Sequence, residues 1–183
     1  KISLFTSPQR GLTLFLILII LTVFSAAIFY LTVQKYVGAL YFAKSTAIRE
    51  QPLDLRIESA ARAINLDNWR DDYLRTLSQL YVLKLTQIRN SANFQEEFRN
   101  IISNGIFLAQ RATQINPSDS LNWTNLGFIY ESVIFNAQGA EQFAGDAYQK
   151  AVGLEPSNPR MLVDLSRVYL LSSDKAQIDL NNL

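Results

Sequence analysis

The apolar positions of this chain follow two regimes. From Leu12 to Val33 the sequence LTLFLILIILTVFSAAIFYLTV carries no charge, and its only polar side chains are Thr13, Thr22, Ser25, Tyr30 and Thr32. As helix, roughly 22 residues measure about 33 Å, enough to cross a hydrocarbon core of about 30 Å. Hydroxyls are tolerated there because each can bond a carbonyl one turn back. A core helix seldom stays uncharged this long, and a secretory leader has a shorter apolar run. Ser7 supplies an N-cap and Pro8 a first helical residue. Tyr30, Lys35 and Tyr36 stand at the far boundary, where aromatic and basic anchors belong. Beyond Lys35 the apolar residues recur at helical spacing, and breakers fall at Gln51-Pro52, Asn68, Asn116-Pro117 and Pro156-Ser157. The pattern predicts helices over 8–50, 53–65, 70–89, 93–115, 119–136, 139–154 and 159–172. Ser91 or Asn93 would cap the fourth of these. Residues 173–183 form a tail or the end of a closing helix. The expected organisation is a flank (1–11), a transmembrane helix (12–35), a helical domain (36–172) and a C-terminal tail (173–183).

The helical part repeats. Residues 122–130 read NWTNLGFIY, placing Trp123, Leu126, Gly127 and Tyr130 in the pattern W-x2-L-G-x2-Y, with Ala144, Tyr148, Ala151 and Pro156 downstream. This resembles the tetratricopeptide repeat, a helix-turn-helix unit of about 34 residues. Leu162, Leu165, Ser166 and Tyr169 restate the first helix with Ser in place of Gly, and Ala109, Ala112 and Pro117 restate the end of a second. Fainter copies lie at Leu74, Leu77, Ser78 and Tyr81, at Ala60 and Ala63, and at Val37, Gly38 and Tyr41. The resemblance implies an all-α fold: the transmembrane helix continues into an irregular α-solenoid of about three to four hairpins. The spacing departs from the family. Tyr81 to Pro117 is roughly 15 residues too long for one unit, and a smaller insertion falls near 136–140.

Composition narrows the chemistry. Lys+Arg 17 against Asp+Glu 16 leaves a formal charge of +1, and the basic residues are interspersed with acids rather than gathered on one face, which argues against nucleic acid. With Cys 0 and His 0 the commonest nucleophiles, general bases and metal ligands are absent. Glu96-Glu97 has nothing to complete a catalytic arrangement. No catalytic, metal or cofactor residue is therefore assigned, and the chain is read as a non-enzyme. Asn122-Trp123-Thr124 matches a glycosylation sequon but falls within the repeat's packing signature. Trp69, beside Arg70-Asp71-Asp72, is expected to close a helix boundary.

In the family the first helices line a groove for a peptide or partner helix. The matching face here carries Asp72, Arg75, Gln79, Leu121, Thr124, Phe128, Glu131, Arg160, Val163 and Arg167. It holds no dense cluster of Lys, Arg and Asn to clamp a terminal carboxylate. Ser25, Ala26 and Ala27 would let membrane helices approach closely. Tyr36, Tyr41 and Phe42 would pack on lipid headgroups, on a neighbouring subunit, or within the first hairpin. The expected function is a membrane-anchored scaffold whose partners are membrane lipid and a protein, including copies of itself in rings, tubes or filaments. The alternative rests on YLTVQKYVGALYFAKS (residues 30–45), which resembles the last membrane helix and extracytoplasmic repeat domain of bacterial O-antigen ligases and polymerases. In that reading the chain, which opens on Lys1, is the accessory part of a longer glycan-transfer protein. Basic residues flank the span on both sides, so orientation is not set by charge.

Overall fold

The computed structural model describes residues 8–47, 51–90 and 92–181, and among them the chain is all-helical. Seven α-helices follow in order: α1 (Pro8–Thr46), α2 (Leu53–Leu66), α3 (Asp71–Gln87), α4 (Phe94–Ile115), α5 (Ser120–Glu131), α6 (Ala140–Leu154) and α7 (Pro159–Asn181). A single 3-10 turn, Ile88–Asn90, tightens the end of α3. The C-terminal part of α1 pairs with α2, α3 with α4 and α5 with α6, and each hairpin stacks on the next. α7 closes the stack. This is an α-solenoid, in which each layer packs only on its neighbours.

α1 runs 39 residues without a break. Every residue from 12 to 33 is exposed, and Gly11–Thr46 is the one described helix long and apolar enough to cross a membrane. Thr22 and Thr32 return their hydroxyl protons to the carbonyls of Ile19 and Ile28, both at 2.8 Å. Burial begins at Gly38. A Cβ there would lie 3.4 Å from that of Leu66, so a larger side chain would force α1 and α2 apart.

Alanine makes the close packing possible. Ala60 and Ala63 of α2, Ala109 and Ala112 of α4, and Ala144 and Ala151 of α6 are fully buried. The three outer helices end alike: the amides of Asp67, Asn116 and Glu155 bond the carbonyls of Ala63, Ala112 and Ala151 at 3.0 Å. Ala63 and Ala112 are 49 residues apart, and Ala112 and Ala151 are 39 apart, against about 34 for a regular unit. The excess lies in the long α3–α4 hairpin and in the α5–α6 connection, the two places where the spacing predicted insertions.

Several boundaries differ from those the pattern predicts. α1 ends at Thr46 rather than at 50, and residues 48–50 lie outside the described residues, as do Ser7 and Ser91. Asn93 occupies the N-cap of α4, where its carbonyl accepts from the amides of Glu96 and Glu97. α5 stops at Glu131, not at 136. Tight turns at Val133, Ile134 and Asn136 follow, and the β-branched Val133 and Ile134 are both buried in the core. Gly139 then starts α6 at φ +78°, where a side chain would be strained. Residues 173–181 continue α7 as helix. Trp69 closes no boundary: it is 77% exposed in the α2–α3 turn.

Candidate functional site

α3, α5 and α7 present one side of the solenoid, and a groove of about 890 Å³ runs across them. Arg75, Gln79, Thr124, Phe128 and Arg167, assigned to this face from the sequence, line it together with Leu121 and Arg160. Leu83, Leu121 and Phe128 give it an exposed apolar edge. Asp72 is paired with Arg70 at 2.7 Å, Val163 is exposed on α7, and Glu131, also assigned to this face, is engaged by Arg167; none of the three lines the groove.

Two of the three lining arginines are already neutralised. The Arg75 guanidinium bonds Asp119 at 3.0 Å and the side-chain oxygen of Asn122 at 2.6 Å. Fully buried Asn122 donates to Asp71 at 2.7 Å and to the Ala112 carbonyl at 3.2 Å, and this polar knot ties α3, α4 and α5 together. Burial acts most strongly on Asp71 and works upward. Hydrogen bonds from Asn122 and Asn116 and the charge of Arg75 outweigh it, holding the carboxyl below its ordinary value. Arg167 is forked onto Glu131 and also meets Asp164 at 2.9 Å. Glu131 accepts from the Tyr148 hydroxyl at 2.7 Å, and burial followed by this carboxylate pushes the Tyr148 phenol well up. Glu131 therefore anchors α5 to α6 and α7. Arg160 forms no ion pair among the described residues, which leaves it as the available cation.

The sequence reading missed the most distinctive polar group in the groove. Asn125 is 3% exposed and lies in the groove lining. Its amide nitrogen donates to the Ser78 hydroxyl at 2.8 Å, and Ser78 donates to the Arg75 carbonyl. Because the Ser78 proton is committed, Ser78 must accept from Asn125, which fixes the orientation of the amide. The other end of the amide, Oδ1, is a buried acceptor without a partner among the described residues. Leaving such a group unmade costs about 1–3 kcal/mol. A signal was present: Leu121, Asn125 and Phe128 share one face of α5 at helical spacing. A lone Asn inside a packing signature carries no chemistry of its own, however.

The remaining assigned residues divide between core and surface. Leu126, Ala144, Tyr148 and Ala151 are buried, and Gly127 lies against the Tyr148 ring. Trp123 donates to the Pro117 carbonyl at 2.8 Å, and Tyr130 stacks on Phe143 at 5.2 Å. Pro156 follows the end of α6 in an exposed turn. On α7, Leu165 packs inward while Leu162 and Tyr169 face out. Phe42 stacks on Tyr73 at 4.4 Å, and Tyr41 joins the same cluster under Arg62, so both rings lie at the first hairpin. Ser25, Ala26, Ala27, Tyr30 and Tyr36 are exposed along α1.

No protein-family model matches the chain, and no curated protein matches it. Solved structures do. An Arabidopsis OM64 TPR domain superposes with a TM-score of 0.58 at 14% identity, covering 74% of this chain and 97% of that one. MamA gives 0.53 at 19% identity, covering 85% and 77%. The first TPR of Spaghetti (RPAP3), bound to the HSP90 peptide SRMEEVD, gives 0.52 at 15% identity, covering 78% and 93%. What is shared at these identities is the fold, a tetratricopeptide-type α-solenoid.

Proposed function

We propose that this chain is a non-enzymatic, membrane-anchored scaffold that holds an extended segment of a partner protein in the α3–α5–α7 groove. The observation that carries the reading is the buried, unpartnered Oδ1 of Asn125 on the groove lining. It calls for an N–H donor, and every residue of an extended peptide except proline supplies one. Leu83, Leu121 and Phe128 beside it suit an apolar side chain, and Arg160 suits an acidic one. The peptide complex of the RPAP3 domain supports the same use of the fold. α1 supplies the anchor, so the partner is gathered at a bilayer.

The test is an array of seven-residue peptides probed with the full chain in lipid nanodiscs. Peptides that bind the parent chain should bind Asn125→Ala about tenfold more weakly, a loss of about 1.4 kcal/mol. Binding by no peptide, or equal binding to Asn125→Ala and Leu121→Asp, would remove the groove from the reading.

Copies of the chain are a second kind of partner, and α7 favours them. Its Leu162, Tyr169 and Leu170 are exposed, and no second helix covers them among the described residues. Energy transfer between two labelled populations in one vesicle should appear for the parent chain and fall to background for Leu170→Glu.

A further inference from the structure

We infer that Trp69 is a second membrane contact: the α2–α3 turn inserts its indole into the headgroup zone of the phospholipid bilayer that α1 crosses. The inference rests on the reading of α1 as a membrane span. It adds a lipid contact far from the span in sequence.

The register of α1 on α2 places the turn. Arg56, near the start of α2, donates to the Ser45 carbonyl at 2.9 Å. Ten residues later, Leu66 faces Gly38. As α2 advances, its contacts on α1 therefore move back toward the apolar run, and α2 descends to the membrane side. Gly38 lies five residues above Val33, the last residue of that run, which is about 8 Å along the helix. Trp69 lies three residues beyond Leu66, in the turn that leaves the membrane-facing end of α2. The turn therefore starts at the level of Gly38, about one helical turn above Lys35, the first charge after the span. Packed helices stand about 8–10 Å apart, so the contact is displaced sideways from α1 by about that distance.

The residue type fits the location. Trp69 is 77% exposed and is the most exposed large apolar side chain described in the chain. An indole left in water there gains nothing, whereas at a bilayer interface its ring is covered and its N–H stays solvated. Tyr36, 66% exposed, and Tyr30, 62% exposed, stand on α1 at neighbouring levels. Arg70 is tied to Asp72 and lies over the Tyr73 ring at 4.9 Å, which fixes the base of the turn. A single helix can tilt and rotate in a bilayer. A second contact off its axis restricts both, and so sets which way the groove faces relative to the membrane.

The chain has two tryptophans, Trp69 and Trp123, so Trp123→Phe makes Trp69 the sole reporter. The full chain is reconstituted into phosphatidylcholine vesicles brominated either near the head of the acyl chain or near its middle. Trp69 emission should fall by about half with the shallow bromines and less with the deep ones. If Trp123→Phe does not fold, the difference in quenching between the parent chain and Trp69→Phe reads the same quantity. A control carries Phe24→Trp with both native tryptophans replaced by Phe. Deep quenching of that probe with no quenching of Trp69 would overturn this inference and leave the span intact. No quenching of either would overturn the span and the inference together.

Discussion

At the scale of single residues, two buried glycines with opposite surroundings make the clearest contrast. A Cβ on Gly127 would meet three ring atoms of Tyr148 at 2.8–2.9 Å, closer than real Cβ contacts come. That ring is 1% exposed and its hydroxyl is held by Glu131, so it has nowhere to swing. A Cβ on Gly145 would meet nothing within 4 Å. Gly127→Ala should therefore cost about 1–3 kcal/mol, outweighing the helix propensity it gains. Gly145→Ala should stabilise by about 0.5–1 kcal/mol. Thermal melts read both, and a shift of the same sign in the two variants would contradict the geometry. The first glycine was legible because it falls in W-x2-L-G-x2-Y, where close crossing requires it. Asn125 was not legible, because its importance lies in a missing partner rather than in its type. Asn125→Leu loses the bond to Ser78 but also removes the orphaned oxygen, so stability should stay within about 1 kcal/mol of the parent while peptide binding weakens about tenfold, as for Asn125→Ala. A large loss of stability would mark Asn125 as structural instead.

At the scale of elements, helix positions were legible from period and breakers, and their ends less so. The outer helices end where Asn116-Pro117 and Pro156 predict, because proline cannot continue a helix. The end of α5 carried no such mark. Val133 and Ile134 are drawn inward by α6 and α7, a tertiary pull that local pattern does not record. The ordering of residues 173–181 has the same origin. Lys175 donates to the Ala137 carbonyl at 3.1 Å and to Glu141 at 2.8 Å, pinning the end of α7 to the α5–α6 connection. Lys175→Met keeps the stem and removes both bonds. Amides of residues 172–178 should then exchange about tenfold faster, with α2 and α3 unchanged, since layers of a solenoid couple only to neighbours. The hydrogen bond from Lys175 holds the Glu141 carboxyl below its ordinary value. A depressed carboxyl contributes stability above its unfolded value and loses it as pH falls through the folded one. Acid near pH 3 should thus loosen the end of α7 in the parent chain and add little in Lys175→Met, as hydrogen exchange at the two pH values would show.

At the scale of the whole molecule, the absence of histidine and the direction of the shifts fix the pH response. Asp71, Glu141 and Glu155 are shifted down and Tyr148 up, away from neutrality on both sides. Stability should be flat between about pH 5 and 9. Above about pH 10 the unfolded tyrosine ionises while folded Tyr148 does not, so stability should fall there, and denaturant titrations across pH would show it. The joining of apolar run and solenoid in one helix was legible because no breaker separates Leu12 from Ser45. Where the domain begins within that helix was not, since a continuous helix marks no border. The structure locates that border by burial. Residues 12–33 are exposed throughout, whereas Gly38 and Ser45 are buried, and Tyr41 and Phe42 pack on the core around Leu74 and Leu77. The first hairpin thus borrows its first helix from the far end of α1. Removing residues 1–33 should leave the melting temperature of the solenoid within a few degrees of the full chain. Removing residues 1–46 uncovers Ala60, Ala63 and Tyr73 and takes away the stacked ring of Phe42. That loss is of the order of a Phe→Ala core substitution, about 3–5 kcal/mol, before the uncovered alanines are considered. The longer truncation should melt much earlier or aggregate, and equal stability of the two would mean that α1 contributes nothing to the domain.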